Sequence, residues 1–202
     1  LDATYDEAGR VALLKVRAHN VWRNLGQIDE ARALYEELIT LDDTELSTYE
    51  LLESLFSEQG DFKSLLDLYE RKLDATHLDS DSRLALQKQM ISVAESIDDH
   101  HRAIDIARDA LEHDEGNRDL YTALERLYTS QNAWDDLRDL KEARLGHVNG
   151  AEKLVMTREL AMLCEQLDQL DEAVDYWLSV FSEEPSDTEV FEATHRLLTQ
   201  TM

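Results

Sequence analysis

The side chains that could carry chemistry are few and are spread along the chain. His100 and His101 follow Asp98 and Asp99, and together they form the densest group of potential metal ligands. Adjacent residues on a helix point about 100° apart, so the two imidazoles do not readily share one ion. We therefore favour a solvated hairpin turn over a metal site. The single cysteine, Cys164, lies on an apolar stripe and is expected to be a buried, inert thiol.

Composition and charge exclude several classes of function. The sequence contains no phosphate-binding glycine loop, no nucleophile elbow and no His-Glu-x-x-His pair. Its 202 residues include 20 Lys and Arg against 45 Asp and Glu, a formal net charge of −25. This balance argues against nucleic acid and against an anionic membrane surface as partners, because both need clustered basic residues. We expect no enzyme activity and no cofactor. Acidic residues occur along every segment, so we interpret the excess as a solvated surface or an adaptation to salt, rather than as a sign of a basic partner.

The elements that position these residues are helices. A turn residue, an apolar residue two positions later and a small or apolar residue five positions later recur at spacings of 34 to 38 residues. The turn residues are Gly26, Gly60, Asp98, Asn132 and Asp168. Between them, apolar side chains recur every three to four positions, which predicts amphipathic helices. The predicted helices span residues 6–25, 27–41, 44–59, 61–76, 79–97, 99–113, 117–131, 133–147, 150–167, 169–183 and 187–200.

The pattern resembles the tetratricopeptide repeat, a helix-turn-helix unit of about 34 residues. The closest match runs from Gly26 to Asp43, and Pro185 stands where the family has the proline that closes the second helix. A shift of 72 residues also aligns Tyr49 with Tyr121, so the larger unit is a pair of hairpins. This double unit is similar to long, degenerate repeat proteins of delta-proteobacteria. The resemblance implies an all-α, right-handed superhelical solenoid of antiparallel hairpins, with about five and a half repeats in a single domain over residues 1–202.

In this family the ligand usually lies in a concave groove that is lined by the first helix of each hairpin. The family's register places three residues of each first helix toward the groove, Glu165 and Glu192 among them. Nine of these positions are the candidate groove residues: Asn20, Arg23, Asn24, Glu50, Lys88, Arg126, Arg158, Met162 and Arg196. The cations among the last five suggest a positively biased surface for an acidic partner segment or a C-terminal carboxylate. The alternative is that they form ion pairs along their own helices. The carboxylate clamp of chaperone-binding relatives is rejected, because Val16 stands where that clamp needs a lysine.

Two functions follow from the resemblance. The first is a non-catalytic scaffold that binds a protein or peptide in the groove. The second is a regulatory or spacer segment of a larger enzyme or signalling protein whose activity lies elsewhere. Because the chain starts at Leu1 and ends within a helical pattern, we expect a fragment of a longer polypeptide, which leaves an upstream signal or anchor open. The single cysteine favours a cytoplasmic location.

Overall fold

The computed structural model describes residues 2–201 of the chain, and the side chains of residues 9–200. Within that range the chain forms α-helices and no strand, so the all-α prediction is confirmed. The eleven helices described are α1 (Asp2–Arg23), α2 (Ile28–Leu41), α3 (Leu46–Gln59), α4 (Phe62–Ala75), α5 (Ser80–Ser96), α6 (His100–His113), α7 (Arg118–Gln131), α8 (Trp134–Leu145), α9 (Gly150–Gln166), α10 (Leu170–Glu183) and α11 (Thr188–Thr201). The largest difference from a predicted boundary is at the start of α1, which lies at Asp2 instead of residue 6.

The helices pack in sequence order within two compact units, Leu1–Ile106 and Ala107–Met202. In the first unit, contacts join α1 to α2, α2 to α3, α3 to α4 and α4 to α5. In the second unit they join α7 to α8, α8 to α9, α9 to α10 and α10 to α11. Within each unit, the short connections make these contacting helices antiparallel neighbours, as expected for helical hairpins.

All the predicted turn residues adopt the left-handed backbone conformation that ends a helix. Their φ angles are 66° at Gly26, 67° at Gly60, 57° at Asp98, 55° at Asn132 and 60° at Asp168. In four of these turns, the N–H of the next residue donates to the carbonyl oxygen five residues earlier, which satisfies an orphan carbonyl of the helix. These bonds are Asp61 to Phe56 (3.0 Å), Asp99 to Ala94 (2.9 Å), Ala133 to Tyr128 (2.9 Å) and Gln169 to Cys164 (2.9 Å).

One predicted helix start is displaced. The run from Asp42 to Thr44 has the residue types of a helix N-cap, but α3 begins at Leu46 and its N-cap is Glu45. The Asp42 carboxylate instead accepts hydrogen bonds from the Thr44 N–H (3.0 Å) and hydroxyl (2.7 Å). These bonds hold the pKa of Asp42 below its usual value and close a turn before the helix. Asp and Thr favour such local turns as much as they favour caps.

The core lies between stacked helices, at the positions that the repeat predicts. Leu124, Leu127, Leu137 and Leu160 are at most 6% exposed, which confirms their predicted burial. Buried Ala or Leu also follows each turn residue by five positions, at Ala31, Leu65, Ala103, Leu137 and Ala173. Trp22 and Trp177 are buried as predicted, whereas Trp134 is half-buried.

In two hairpins, the residue nine positions after the turn residue connects the two helices through a hydrogen bond. In α4 the Tyr69 hydroxyl donates to Glu53 on α3 (2.7 Å), and in α10 the Trp177 Nε1 donates to Glu165 on α9 (2.6 Å). In α2 the equivalent hydroxyl, that of Tyr35, is buried and has no hydrogen-bond partner among the residues that the structure describes. The position in α1 that corresponds to Glu53 is His19, which is exposed, so no carboxylate is present there to accept the bond.

Candidate functional site

An open groove of about 600 Å³ lies in the second unit between α9 and α11. Its lining comes mainly from the first helices of two successive hairpins, with one residue from α10 between them. The lining residues are Met162 and Glu165 from α9, Trp177 from α10, and Glu189, Glu192, Ala193 and Arg196 from α11. The structure therefore brings together two of the nine candidate residues, Met162 and Arg196, with Glu165 and Glu192, which the register also places toward the groove.

The Glu165 carboxylate organises the centre of this groove. One of its oxygens accepts the hydrogen bond from Trp177 Nε1 (2.6 Å), and the other accepts one from Arg196 Nη2 (2.6 Å). The indole of Trp177 is buried, so its N–H needs this partner. The two bonds connect α9, α10 and α11 and fix Arg196 against the wall of the groove.

A second set of ion pairs holds the turn between α10 and α11. Arg158 on α9 donates to Glu184 (2.7 Å) and to Asp187 (2.8 Å) in that turn. The hydrogen bond from Arg158 holds the pKa of Asp187 below its usual value, and the N–H groups of Val190 and Glu189 act in the same direction. The carboxylate of Asp187 thus caps α11 and pairs with α9 at the same time.

These contacts correct one interpretation of the sequence. The alternative to a basic surface was that the cations pair along their own helices. Arg158 and Arg196 instead pair with acids on other elements, because Glu184, Asp187 and Glu165 lie across a helix-helix contact. Register along one helix does not show which acids a neighbouring element brings within the reach of a guanidinium.

The groove is acidic rather than basic. Its lining contributes the carboxylates of Glu165, Glu189 and Glu192 against one guanidinium, that of Arg196. The apolar contribution comes chiefly from Met162, whose side chain is 47% exposed, and from the half-buried Ala193. The site therefore offers one exposed apolar side chain beside two exposed carboxylates on α11.

The other predicted groove residues lie outside this groove. In the first unit, Arg23 pairs with Glu58 (2.8 Å) and its guanidinium lies 3.6 Å from the ring centroid of Trp22. The Asn24 amide donates to the Asn20 side chain (2.5 Å). Glu50 is exposed on α3 and Lys88 is half-buried on α5. In the second unit, Arg126 is exposed on α7.

The cysteine and the two adjacent histidines that the sequence singled out lie in ordinary structural positions. Cys164 is fully buried, and burial raises its pKa to about 11. His100 and His101 lie in the first turn of α6, where His100 is half-buried. In the part of the chain that the structure describes, no group of three or more His, Cys, Asp or Glu is placed to hold a metal ion. None of the described helices has the length and apolar character that a membrane span requires.

Sequence reasoning missed three lining residues: Trp177, Glu189 and Ala193. The family's register selects only the first helix of each hairpin, whereas Trp177 reaches the groove from the second helix. A signal was present, because Trp177 stands nine positions after its turn residue, as Tyr69 does in α4. A polar-ended aromatic at this position indicates contact with the neighbouring first helix.

Comparison with known proteins supports the helical-repeat fold. A family model of the tetratricopeptide repeat matches residues 48–84, which cover most of α3, all of α4 and the start of α5. The chain therefore contains a tetratricopeptide repeat, and the resemblance seen in the sequence is confirmed there. No curated protein matches the sequence.

Solved structures of low sequence identity match the chain, and one of them, with a TM-score above 0.5, shares its fold. The structure of Naa15/Naa10 bound to HypK-THB matches with a TM-score of 0.53 at 14% identity, over 92% of this chain and 33% of that chain. YrrB, described as a TPR protein with an unusual peptide-binding site, matches with a TM-score of 0.43 at 14% identity over 88% of each chain. MamA matches with a TM-score of 0.43 at 20% identity, over 81% of this chain and 92% of that chain.

Proposed function

We propose that this chain is a non-catalytic scaffold that binds an extended segment of a protein or peptide in the groove between α9 and α11. The observation that supports the proposal is the juxtaposition of Met162 and Arg196, which lie on the first helices of successive hairpins and line one open groove. Its volume of about 600 Å³ falls in the range of sites that hold several side chains of a ligand.

Each lining residue has a defined role in this proposal. Met162 is flexible and polarisable, so it adapts to different apolar side chains of a bound segment. The exposed carboxylate of Glu192 accepts hydrogen bonds from backbone N–H groups or from a donor side chain. Glu165 keeps Trp177 and Arg196 in place, so the groove is ordered before a ligand arrives.

The charge of the groove bears on the choice of partner. The Arg196 guanidinium is exposed and already pairs with Glu165. A carboxylate that approaches it also meets the exposed carboxylates of Glu189 and Glu192 in the same lining. One exposed ion pair contributes little, and the nearby like charges oppose it. We therefore propose that the groove selects neutral or donor-rich segments over the acidic segment that the cations of the sequence suggested.

The test is selection from a library of random linear peptides on the full chain, followed by fluorescence anisotropy with the enriched peptides. Changing Met162 to Lys should weaken binding by about tenfold or more, because apolar contacts at the centre of an interface dominate affinity. Leu178→Lys is the matched control. Leu178 is 42% exposed on α10, close to the 47% of Met162, and does not line the groove.

Three results would contradict the proposal. One is a library that enriches no sequence. Another is an equal loss of affinity for Met162→Lys and Leu178→Lys, which would place binding elsewhere. The third is enrichment of Asp and Glu in the selected peptides, together with a lower affinity of these peptides for the Arg196→Gln variant. This result would support an acidic partner segment instead.

A further inference from the structure

A second cavity, of about 450 Å³, lies in the same unit but shares no lining residue with the groove between α9 and α11. It is bounded by the end of α6 and the turn that follows it, by α7 and by α8. Its floor is formed by the buried side chains of Tyr121, Leu124 and Leu140. The cavity thus combines an apolar floor with walls from three successive elements.

Tyr121 is the residue on the floor of this cavity whose hydroxyl can bind a ligand. Its side chain is only 3% exposed, and its hydroxyl makes no hydrogen bond to any residue that the structure describes. The Arg144 guanidinium lies 5.5 Å from the centroid of its ring, and the His147 ring lies 6.3 Å away. Arg144 is itself held by Glu125 (3.3 Å) and Glu152 (3.0 Å), so the ring is fixed in place. The hydroxyl itself is accessible, and Tyr121 lines the cavity, so a ligand group there can become its hydrogen-bond partner.

The walls of the cavity are strongly acidic. Four carboxylates line it, those of Glu112, Glu115, Asp136 and Asp139, against the single guanidinium of Arg108. Asp139 is neutralised by Arg138 (2.6 Å). Within the described residues, no ion pair or hydrogen bond involves the side chain of Glu112, Glu115 or Asp136. Clustered carboxylates beside low-dielectric walls concentrate positive charge.

We propose that this cavity binds the cationic side chain of a lysine or arginine that belongs to a partner protein. The ammonium or guanidinium group lies among Glu112, Glu115 and Asp136, and one of its N–H groups donates to the Tyr121 hydroxyl. The methylene stem packs on Leu111 and Leu140, as the long side chains of Lys and Arg do on apolar surface. The carboxylates of this cavity therefore recognise a partner, whereas the other acidic side chains of the surface keep the protein solvated.

The source of the cation follows from the shape of the site. The cavity is open and larger than a single side chain requires, and its apolar wall continues from the floor through Leu140 and Ala143. This leaves room for the backbone that flanks a lysine or arginine in a polypeptide. A small amine such as agmatine can place its own methylenes on that wall but has no flanking backbone to fill the rest of the cavity.

The experiment uses the full chain and a capped pentapeptide, acetyl-Ala-Ala-Arg-Ala-Ala-amide, in a titration followed by two-dimensional NMR at low salt. The neutral isostere with citrulline in place of arginine is the matched control peptide. We expect the arginine peptide to shift the amide signals of Glu115, Tyr121 and Asp136, and the citrulline peptide to leave them unchanged. The dissociation constant should rise with added salt, because exposed charges are screened.

The variants test the residues singly. Glu115→Gln and Asp136→Asn should each weaken binding about 2- to 5-fold, the range expected for one partly exposed charge pair. Tyr121→Phe keeps the buried ring and should also weaken binding. Asp175→Asn removes an exposed carboxylate on α10, away from the cavity, and should have no effect. Far-UV circular dichroism of each variant verifies its fold.

Several results would overturn the proposal. Equal binding of the arginine and citrulline peptides would show that the cation is not recognised. Shifts that spread over acidic residues of both units, with Asp175→Asn as damaging as Asp136→Asn, would reduce the effect to general charge attraction. Agmatine that binds as tightly as the pentapeptide would assign the cavity to a small cation and not to a protein side chain.

Discussion

Removing the hydroxyl of Tyr35 should stabilise the protein. This hydroxyl is buried without a hydrogen-bond partner, and burial raises the pKa of Tyr35. A buried, unsatisfied hydroxyl costs about 1–3 kcal/mol, so Tyr35→Phe should recover roughly 1 kcal/mol while it keeps the edge-on contact with the Trp22 ring at 6.2 Å. In urea denaturation, this gain corresponds to an increase of about 0.5 M in the midpoint.

Tyr69→Phe is the matched control, because Tyr69 occupies the same repeat position in the next hairpin. Its hydroxyl donates to Glu53 over 2.7 Å, so its removal should lower the free energy of unfolding by roughly 1–2 kcal/mol. The loss is not larger because Glu53 keeps Lys72 at 3.8 Å and is open to water. The two substitutions should therefore shift the midpoint in opposite directions. Hydrogen exchange should place the first change in α1 and α2 and the second in α3 and α4. A loss of stability in Tyr35→Phe as large as that in Tyr69→Phe would refute the reasoning.

Three further predictions concern backbone, core and thiol. Asn132 has a φ of 55°, so Asn132→Gly should raise the free energy of unfolding by up to about 1 kcal/mol in urea denaturation. Gly60 has a φ of 67°, so Gly60→Ala should lower the free energy of unfolding by about 1 kcal/mol in the same assay. Leu127→Ala should cost about 2–5 kcal/mol, and unchanged hydrogen exchange in the surrounding helices would contradict its placement between α7 and its neighbours. The pKa of Cys164 is raised to about 11, so at pH 8 its alkylation should be at least ~100 times slower than in the urea-unfolded chain. The alkylation rate should increase as the pH approaches 11. Equal rates in the folded and unfolded chains would show an exposed thiol.

The helices and turns were predictable because their signals are local. A helix needs an apolar stripe at a period of 3.6 residues, and Leu124 and Leu127 show that period without any knowledge of the fold. The turn residues were equally clear, because few residue types tolerate a positive φ. Asp98 and Asn132 therefore indicated helix ends although neither is a glycine.

The charge of the groove could not be predicted in the same way. Register placed Met162 and Arg196 on first helices, but it carries no information about the acids that other elements contribute. Arg196 meets Glu165 at a distance of 31 residues in sequence, and long side chains reach such partners through rotamers that sequence does not specify. The cavity at Tyr121 was missed for a related reason, because it forms among three successive elements. The single array over residues 1–202 and the cytoplasmic location stay predictions.

The most direct test of the binding groove is photo-cross-linking with a library-selected peptide that carries benzoylphenylalanine at successive positions. Benzophenone inserts into nearby C–H bonds, so mass spectrometry of the digested complex reports which residues touch the peptide. We expect cross-links to Met162 and to Ala193, which line the groove from α9 and α11. Cross-links confined to the first unit, or to the exposed Leu178 on α10, would contradict a binding site in this groove.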